Sequence, residues 1–307
     1  MKKIGIPRAL LYYYDETLWL EFFKNLHIQT VISDKSNKKI LSDGEKIANS
    51  EACLSLKMYL GHIKNLENKC DYVLVPRLFS IKKHEHVCTN FNALYDIVNN
   101  LFSIEILNYN VDLTTRDYKL MGFLKMGEEL GFSYIKSYQA YKLALKKAKE
   151  ERVKKELMQQ KKLETDNLKI LLAGHPYNLY DELIGKQVIK FLQDSNITII
   201  YSDRIDNNII DSQCNMLSTD IHWTHNKEVM ASINYYKDKV DGIILLSAFP
   251  CGPDSLSNEL IVRKVKEIPI LTLIFEDLNS EVGIITRLES FIDIIKNLKG
   301  EKYAKNN

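Results

Sequence analysis

Cysteine is the residue type with the most chemistry to offer in this 307-residue chain, and it occurs five times: Cys53, Cys70, Cys88, Cys214 and Cys251. An odd number spread along the whole chain does not make a disulfide framework. Three roles remain: core residue, metal ligand or nucleophile. Cys251 is the sharpest. It stands in a Pro-Cys-Gly-Pro sequence soon after the apolar run Ile243 to Leu246. Two prolines and a glycine hold it in a defined turn, which a core cysteine does not need. Cys53, in Glu-Ala-Cys-Leu-Ser-Leu-Lys, falls at or near a helix start. There a thiol is driven towards thiolate, the form that ligates metal. Cys88 lies in a loop ahead of another helix. Cys70, before an apolar strand, and Cys214, in a polar segment, read as incidental. No C-x-x-C pair is present, so spacing alone does not specify a metal. His84 and His86 offer a competing site, a compact zinc group with Cys88 and Cys53.

Elements must position these residues. Short apolar runs at 3–6, 30–32, 71–75 and 103–107 read as strands, and 15–26, 44–49, 54–68 and 91–100 read as helices. A second series follows, with strands at 168–173, 197–201, 242–246 and 268–275. Its helices are at 181–193, 226–237, 256–266 and 281–298. Strands alternating with helices predict parallel sheets covered on both faces. The expected fold is α/β: two doubly wound parallel-sheet (Rossmann-like) domains joined by a long helical segment. The first domain, 1–116, carries Cys53 and Cys88; 117–167 is a helical connector; the second domain, 168–307, carries Cys251. Residues 141–169 are rich in Lys, Glu, Gln, Ala and Leu, without Pro or Gly, and read as a long solvated helix.

Composition excludes several classes. Forty-two Lys and Arg balance 40 Asp and Glu, a net charge of +2, which gives no field for nucleic acid. No apolar stretch is long enough to span a membrane. The apolar run near the N-terminus is interrupted by Pro7 and Arg8 and has no cleavage site after it, so it reads as a strand and helix of a cytoplasmic protein. In parallel sheets, ligands bind beyond the carboxyl ends of the strands. The segments expected there are Pro7-Arg8, Ser33-Asp34, Pro76-Arg77, Gly174 to Asn178, Ser202-Asp203 and Ala248 to Ser255. None carries the dinucleotide glycine fingerprint or a P-loop, so neither NAD binding nor ATP hydrolysis by this chain is expected.

Six segments occur in order along almost the whole chain: IGIPRALLYYYDETLW, EACLSLK, DYVLVPRLFS, GHPYNLYDE, FPCGPDSLSNELI and EVGIITRLESFID. Together they resemble the iron–sulfur subunit superfamily of 2-hydroxyacyl-CoA dehydratases, in the branch named for its relation to the acyl-CoA dehydratase activases. The resemblance is interrupted only over 117–166. It implies that Cys53, Cys88 and Cys251 jointly bind an iron–sulfur cluster, [4Fe-4S] or the double-cubane [8Fe-9S] of a related branch. Thiolates are the natural ligands of such clusters. It implies a separate ATP-dependent activase that delivers a low-potential electron for radical dehydration of a 2-hydroxyacyl-CoA, a lyase reaction of anaerobic metabolism. A second dehydratase-like subunit or a homodimer would complete the enzyme, with acyl-CoA as ligand and no nucleic-acid or membrane partner. The family usually shows Pro and Lys after the second cysteine; here Thr89 and Asn90 stand there.

No catalytic residue is assigned. Arg8, Arg77, His175, Asn178 and Ser255 are candidates to hydrogen-bond the cluster or orient a substrate. Arg287, in the terminal helix, would reach back towards Glu276 and Asp277 at the end of the last strand. Three other readings are a non-catalytic electron-transfer or regulatory subunit, a double-cubane-type small-molecule reductase, and a zinc-binding structural protein.

Overall fold

In the computed structural model, which describes residues 2–276 and 281–305, the chain forms two compact units. One comprises Met1–Lys155 with Ile221–His225; the other comprises Glu156–Asp220 with Asn226–Asn307.

The first unit is built on four parallel strands: β1 (Lys3–Ile6), β2 (Gln29–Ile32), β3 (Tyr72–Ser80) and β4 (Ile106–Asp112). Their order is β2-β1-β3-β4. Val73, Leu74 and Val75 of β3 are buried on both faces, as a central parallel strand requires. The edge strand β4 alternates instead: Leu107, Tyr109 and Val111 are buried, while Asn108, Asn110 and Asp112 are half-buried. Helix α1 (Tyr12–Asn25) buries Leu18, Trp19, Phe22 and Phe23 at helical spacing. Helices α2 (Lys38–Ile47) and α3 (Leu54–Leu66) cross backbone to backbone. A Cβ on Gly44 would overlap the Lys57 carbonyl, and one on Gly61 the Ile40 carbonyl, so only glycine allows this crossing. Helix α4 (Thr89–Leu101) packs on β3, and α5 (Lys119–Glu129) packs on β4.

Strand β3 corrects one expectation. It does not stop at Pro76 but runs on to Ser80. Beyond Val73 it pairs with β4 alone, and a residue without an N–H is tolerated in a strand that has lost one neighbour.

Helix α6 (Tyr134–Leu163) begins seven residues earlier than its composition suggests. Its amino half buries Ser137, Ala140 and Ala144 in the first unit, and the division between units falls within it.

The second unit repeats the plan: β5 (Lys169–Ala173), β6 (Thr198–Tyr201), β7 (Gly242–Ala248) and β8 (Ile270–Phe275) are parallel and ordered β6-β5-β7-β8. Every residue of β7 is buried. The helices are α7 (Pro176–Leu179), α8 (Gly185–Asp194), α9 (Ile210–Leu217), α10 (Thr224–Tyr236), α11 (Gly252–Lys264) and α12 (Glu281–Lys305). Gln159 of α6 is fully buried here and completes the edge of β6. Its Nε2 donates to the Tyr201 carbonyl (2.8 Å), and its Oε1 accepts from the Tyr201 N–H (2.8 Å). Among the described residues no helix is long and apolar enough to cross a membrane.

Candidate functional site

Three of the five cysteines occupy one kind of position. Cys53, Cys88 and Cys251 are the N-cap residues of α3, α4 and α11, each a 13-residue helix. None makes a side-chain capping bond, and all three are half-buried. A sulfur at a helix N-terminus faces the positive end of the helix dipole, which favours thiolate. The sequence Pro-Cys-Gly-Pro therefore does not end in a free turn: Gly252 already opens α11, and Pro253 sits in its first turn, where its missing N–H costs nothing.

The other two cysteines differ. The Cys70 thiol packs against Gly5, lies 3.5 Å from the Leu66 carbonyl, and is pushed up in pKa by burial. Cys214 is fully buried within α9, its sulfur 3.7 Å from the Ser218 carbonyl.

In the first unit, Cys53 and the head of α4 meet. Asn90, two residues past Cys88, directs its Nδ2 at Cys53 Sγ, 3.8 Å away. Of the two residues that depart from the expected pattern, Thr89 and Asn90, the second thus reaches the first cysteine. The loop before Cys88 is fastened by a strap, Ile221–His225. The His86 N–H donates to the His222 carbonyl (2.8 Å), and the Thr224 N–H to the His86 carbonyl (3.0 Å). The His225 ring stacks on Tyr14 (4.1 Å between centroids) and meets Phe91 of α4 edge-on. The zinc group considered from sequence is not assembled: His86 lies against Phe79, and His84 takes a left-handed backbone conformation. Among the described residues no three His, Cys, Asp or Glu side chains gather to hold a single ion.

Arg8 follows β1 and is anchored by Ser33: its N–H donates to the Ser33 hydroxyl (2.8 Å) and its Nε to the Ser33 carbonyl (3.3 Å). Arg77 pairs with Asp96 (2.6 Å), lies over the Tyr95 ring, and lines a small polar cavity with Phe79, Asn92, Asn110 and Asp112.

In the second unit, the strand order reverses between β5 and β7, the crevice where open parallel sheets bind ligands. His175 follows β5 there, and Cys251 follows β7. His175 Nε2 lies 2.8 Å from Asp254 Oδ1, and both are almost completely buried. Burial pulls the imidazole down, but the carboxylate beside it outweighs this and holds His175 above its ordinary value. Burial likewise pushes Asp254 up, yet His175 and the hydrogen bond from Asn226 hold it below the usual carboxylate range. The result is a buried ion pair. Asn226 Nδ2 donates to Asp254 Oδ1 (2.9 Å) and Ser257 Oγ (2.9 Å).

Sequence reading missed Asp254, Asn226 and Asn90. The one available signal was Asp254 three residues after the capping Cys251, the spacing of a capping box. Asn178, also buried, donates its N–H to the His175 carbonyl (2.8 Å). The Ser255 hydroxyl donates to the Cys251 carbonyl (2.7 Å). Arg287 donates to the Thr272 carbonyl of β8 (2.6 Å), and Asp277, its expected neighbour, lies outside the described residues.

Comparison with solved structures finds loose likenesses. The SBP FpvC from Pseudomonas aeruginosa in complex with Ni2+ is 10% identical, with a TM-score of 0.30 over 96% of this chain and 97% of that one. A mutant Mn-bound periplasmic metal binding protein from Candidatus Liberibacter asiaticus is 10% identical, with a TM-score of 0.29 over 97% of this chain and 100% of that one. A sugar transporter from Clostridium phytofermentans is 12% identical, with a TM-score of 0.20 over 96% and 93%. Likenesses this loose carry no argument about ligand or mechanism. No curated protein matches the chain in sequence. The family described as CoA enzyme activase uncharacterised domain (DUF2229) matches residues 3–205, which include Cys53, Cys88 and His175 and stop short of Cys251. That match covers about two-thirds of the sequence, and the chain belongs to this CoA enzyme activase domain family.

Proposed function

We propose that this chain is an iron–sulfur protein that serves as the electron-accepting partner of a separate ATP-dependent CoA-enzyme activase. Cys53, Cys88 and Cys251 supply the cluster thiolates. The observation that carries this reading is their shared position: each caps a 13-residue helix, whereas Cys70 and Cys214 are packed against backbone carbonyls. The donor set fits the group, because a helix N-terminus favours the thiolate form, and thiolates suit iron. A cluster held there, [4Fe-4S] or [8Fe-9S], would supply low-potential one-electron chemistry. The chain's own contribution is to hold the sulfurs in place, as Asn90 does where its amide is directed at Cys53. Arg77 and Arg8, each anchored by a neighbour, are our candidates to orient an acyl-CoA.

Iron and acid-labile sulfide assays on anaerobically purified, reconstituted protein test the reading. Stoichiometric iron and sulfide with thiolate-to-iron absorption support it; a colourless chain that takes up neither overturns it. Acyl-CoA binding to the loaded protein then separates a dehydratase component, a lyase, from a subunit that only transfers electrons.

A further inference from the structure

We infer that the small polar cavity at the β4 edge of the first sheet binds a nucleobase, paired in its plane by Arg77 and Asn110 and stacked on Phe79. The inference rests on the acyl-CoA reading of Arg77 only for what carries the base, and it needs no cluster.

Two strands and one helix build the cavity, which measures about 260 Å³. Arg77 of β3 and Asn110 of the edge strand β4 are partners in register, so their side chains leave the same face of the sheet. Helix α4 covers that face: Asn92 lines the cavity, and Tyr95 and Asp96, one turn further on, hold Arg77. Along β3, Leu78 pairs with Val111 and Ser80 with Asp112, which makes Phe79 an extra residue. A bulge of this kind re-aims a side chain. The Phe79 ring is 38% exposed and forms one wall of the cavity.

The polar atoms select the ligand. Arg77 Nη2 donates to Asp96 Oδ1 (2.6 Å), and the guanidinium lies over the Tyr95 ring. Its charge is thus answered and its plane fixed, so a neutral partner fits better than a second anion. Arg77 Nε and Asn110 Oδ1 are buried and take no hydrogen bond. An edge strand that merely faced solvent would offer such atoms to water; buried without a partner, each costs about 1–3 kcal/mol. The carboxylates at the rim are already engaged, Asp112 by Thr114 and Asp117 by Lys125. A donor beside an acceptor matches a ring nitrogen next to an exocyclic amine, the edge that asparagine reads in adenine. A turn of the Asn110 amide, the kind of side-chain change that accompanies binding, presents both groups to that edge. The flat base then stacks on Phe79, as bases do on aromatic rings. The cavity is smaller than the roughly 300–1,000 Å³ that encloses a whole ligand, so it takes the base and leaves the sugar outside.

The test is calorimetric titration of the full chain without cluster, using adenosine and purine riboside, which lacks the exocyclic amine. Adenosine should bind, and purine riboside should bind about tenfold more weakly. Asn110→Leu should weaken adenosine about tenfold. It should leave the melting temperature unchanged or higher, because it removes a buried polar atom that has no partner. Phe79→Leu should also weaken adenosine about tenfold, and it carries the test if Asn110→Leu fails to fold. No binding of adenosine at millimolar concentration overturns the inference. So does equal binding of the two nucleosides, or parent-like affinity in the folded variants. Competition with CoA then identifies the carrier. Displacement of adenosine makes the base that of an acyl-CoA; failure to displace it leaves a free nucleoside as the ligand and removes Arg77 from the acyl-CoA reading. A parent chain that takes up no iron removes the proposed cluster, while the adenosine titration still decides the cavity.

Discussion

His62 Nδ1 lies 2.8 Å from the Ser33 hydroxyl, and the other ring nitrogen lies 3.0 Å from the Ser36 hydroxyl. The same Ser33 anchors Arg8, so one buried imidazole braces the loops that follow β1 and β2. Serine hydroxyls can donate or accept, so they can serve the neutral ring, in which one nitrogen donates and the other accepts. Burial first, and the charge of Arg8 second, depress its pKa to about 3.

That depression has a sign. Between the unfolded value near 6.5 and about 3, the unfolded state binds a proton that the folded state refuses. Stability of the first unit should therefore fall with pH across this window, by up to about 5 kcal/mol. Both tryptophans, Trp19 and Trp223, belong to this unit, so denaturant titrations read by their fluorescence at pH 7, 5 and 4 report on it. His62→Gln should flatten the acid slope. An equal slope in the variant would refute the assignment.

The His175–Asp254 pair behaves differently. The raised His175 contributes stability below its unfolded value and loses it as pH rises through the folded one. The depressed Asp254 contributes above its unfolded value and loses it as pH falls through the folded one. The pair should add most between about pH 4 and 6.5. Protection of β5 and β7 amides, corrected for intrinsic exchange, should peak there and lose the peak in His175→Gln. Removing one partner by Asp254→Ala should cost the unit about 3–5 kcal/mol.

Substitution separates the cysteines. Cys53→Ser, Cys88→Ser and Cys251→Ser should each abolish or strongly weaken the thiolate-to-iron absorption of the reconstituted protein, because serine is a poorer ligand to iron. Cys214→Ser should leave the absorption intact and lower stability by about 1–3 kcal/mol. Equal spectral losses from Cys214→Ser would mean that misfolding was being observed.

Gln159→Leu should destabilise the second unit by about 2–4 kcal/mol, since it strands the N–H and C=O of Tyr201 at a buried sheet edge. The melting temperature checks this. A loss below about 0.5 kcal/mol would show that the edge is satisfied in some other way.

Much of the fold was legible because central parallel strands read as unbroken apolar runs, as at Val73 to Val75 and along β7. Proline misled twice. Pro76 looked like a strand end but sits where β3 has only one neighbour, and Pro253 looked like part of a turn but sits in the first turn of a helix. The three capping cysteines could be found because a helix start is a local signal. Asp254 could not, because its donors His175 and Asn226 lie 79 and 28 residues away in sequence. A buried carboxylate is explained by its partners, and only the folded chain brings them together.

The strap Ile221–His225 sets the order in which a newly made chain can mature. The first unit's other residues have all been synthesised by Lys155, but the backbone partners of His86 and the ring that stacks on Tyr14 are not. They follow β5, β6 and α9 out of the ribosome. A nascent chain must therefore carry an unfastened Cys88 loop until much of the second sheet has emerged. Any fragment ending near residue 155 or 205 keeps that loop unfastened permanently.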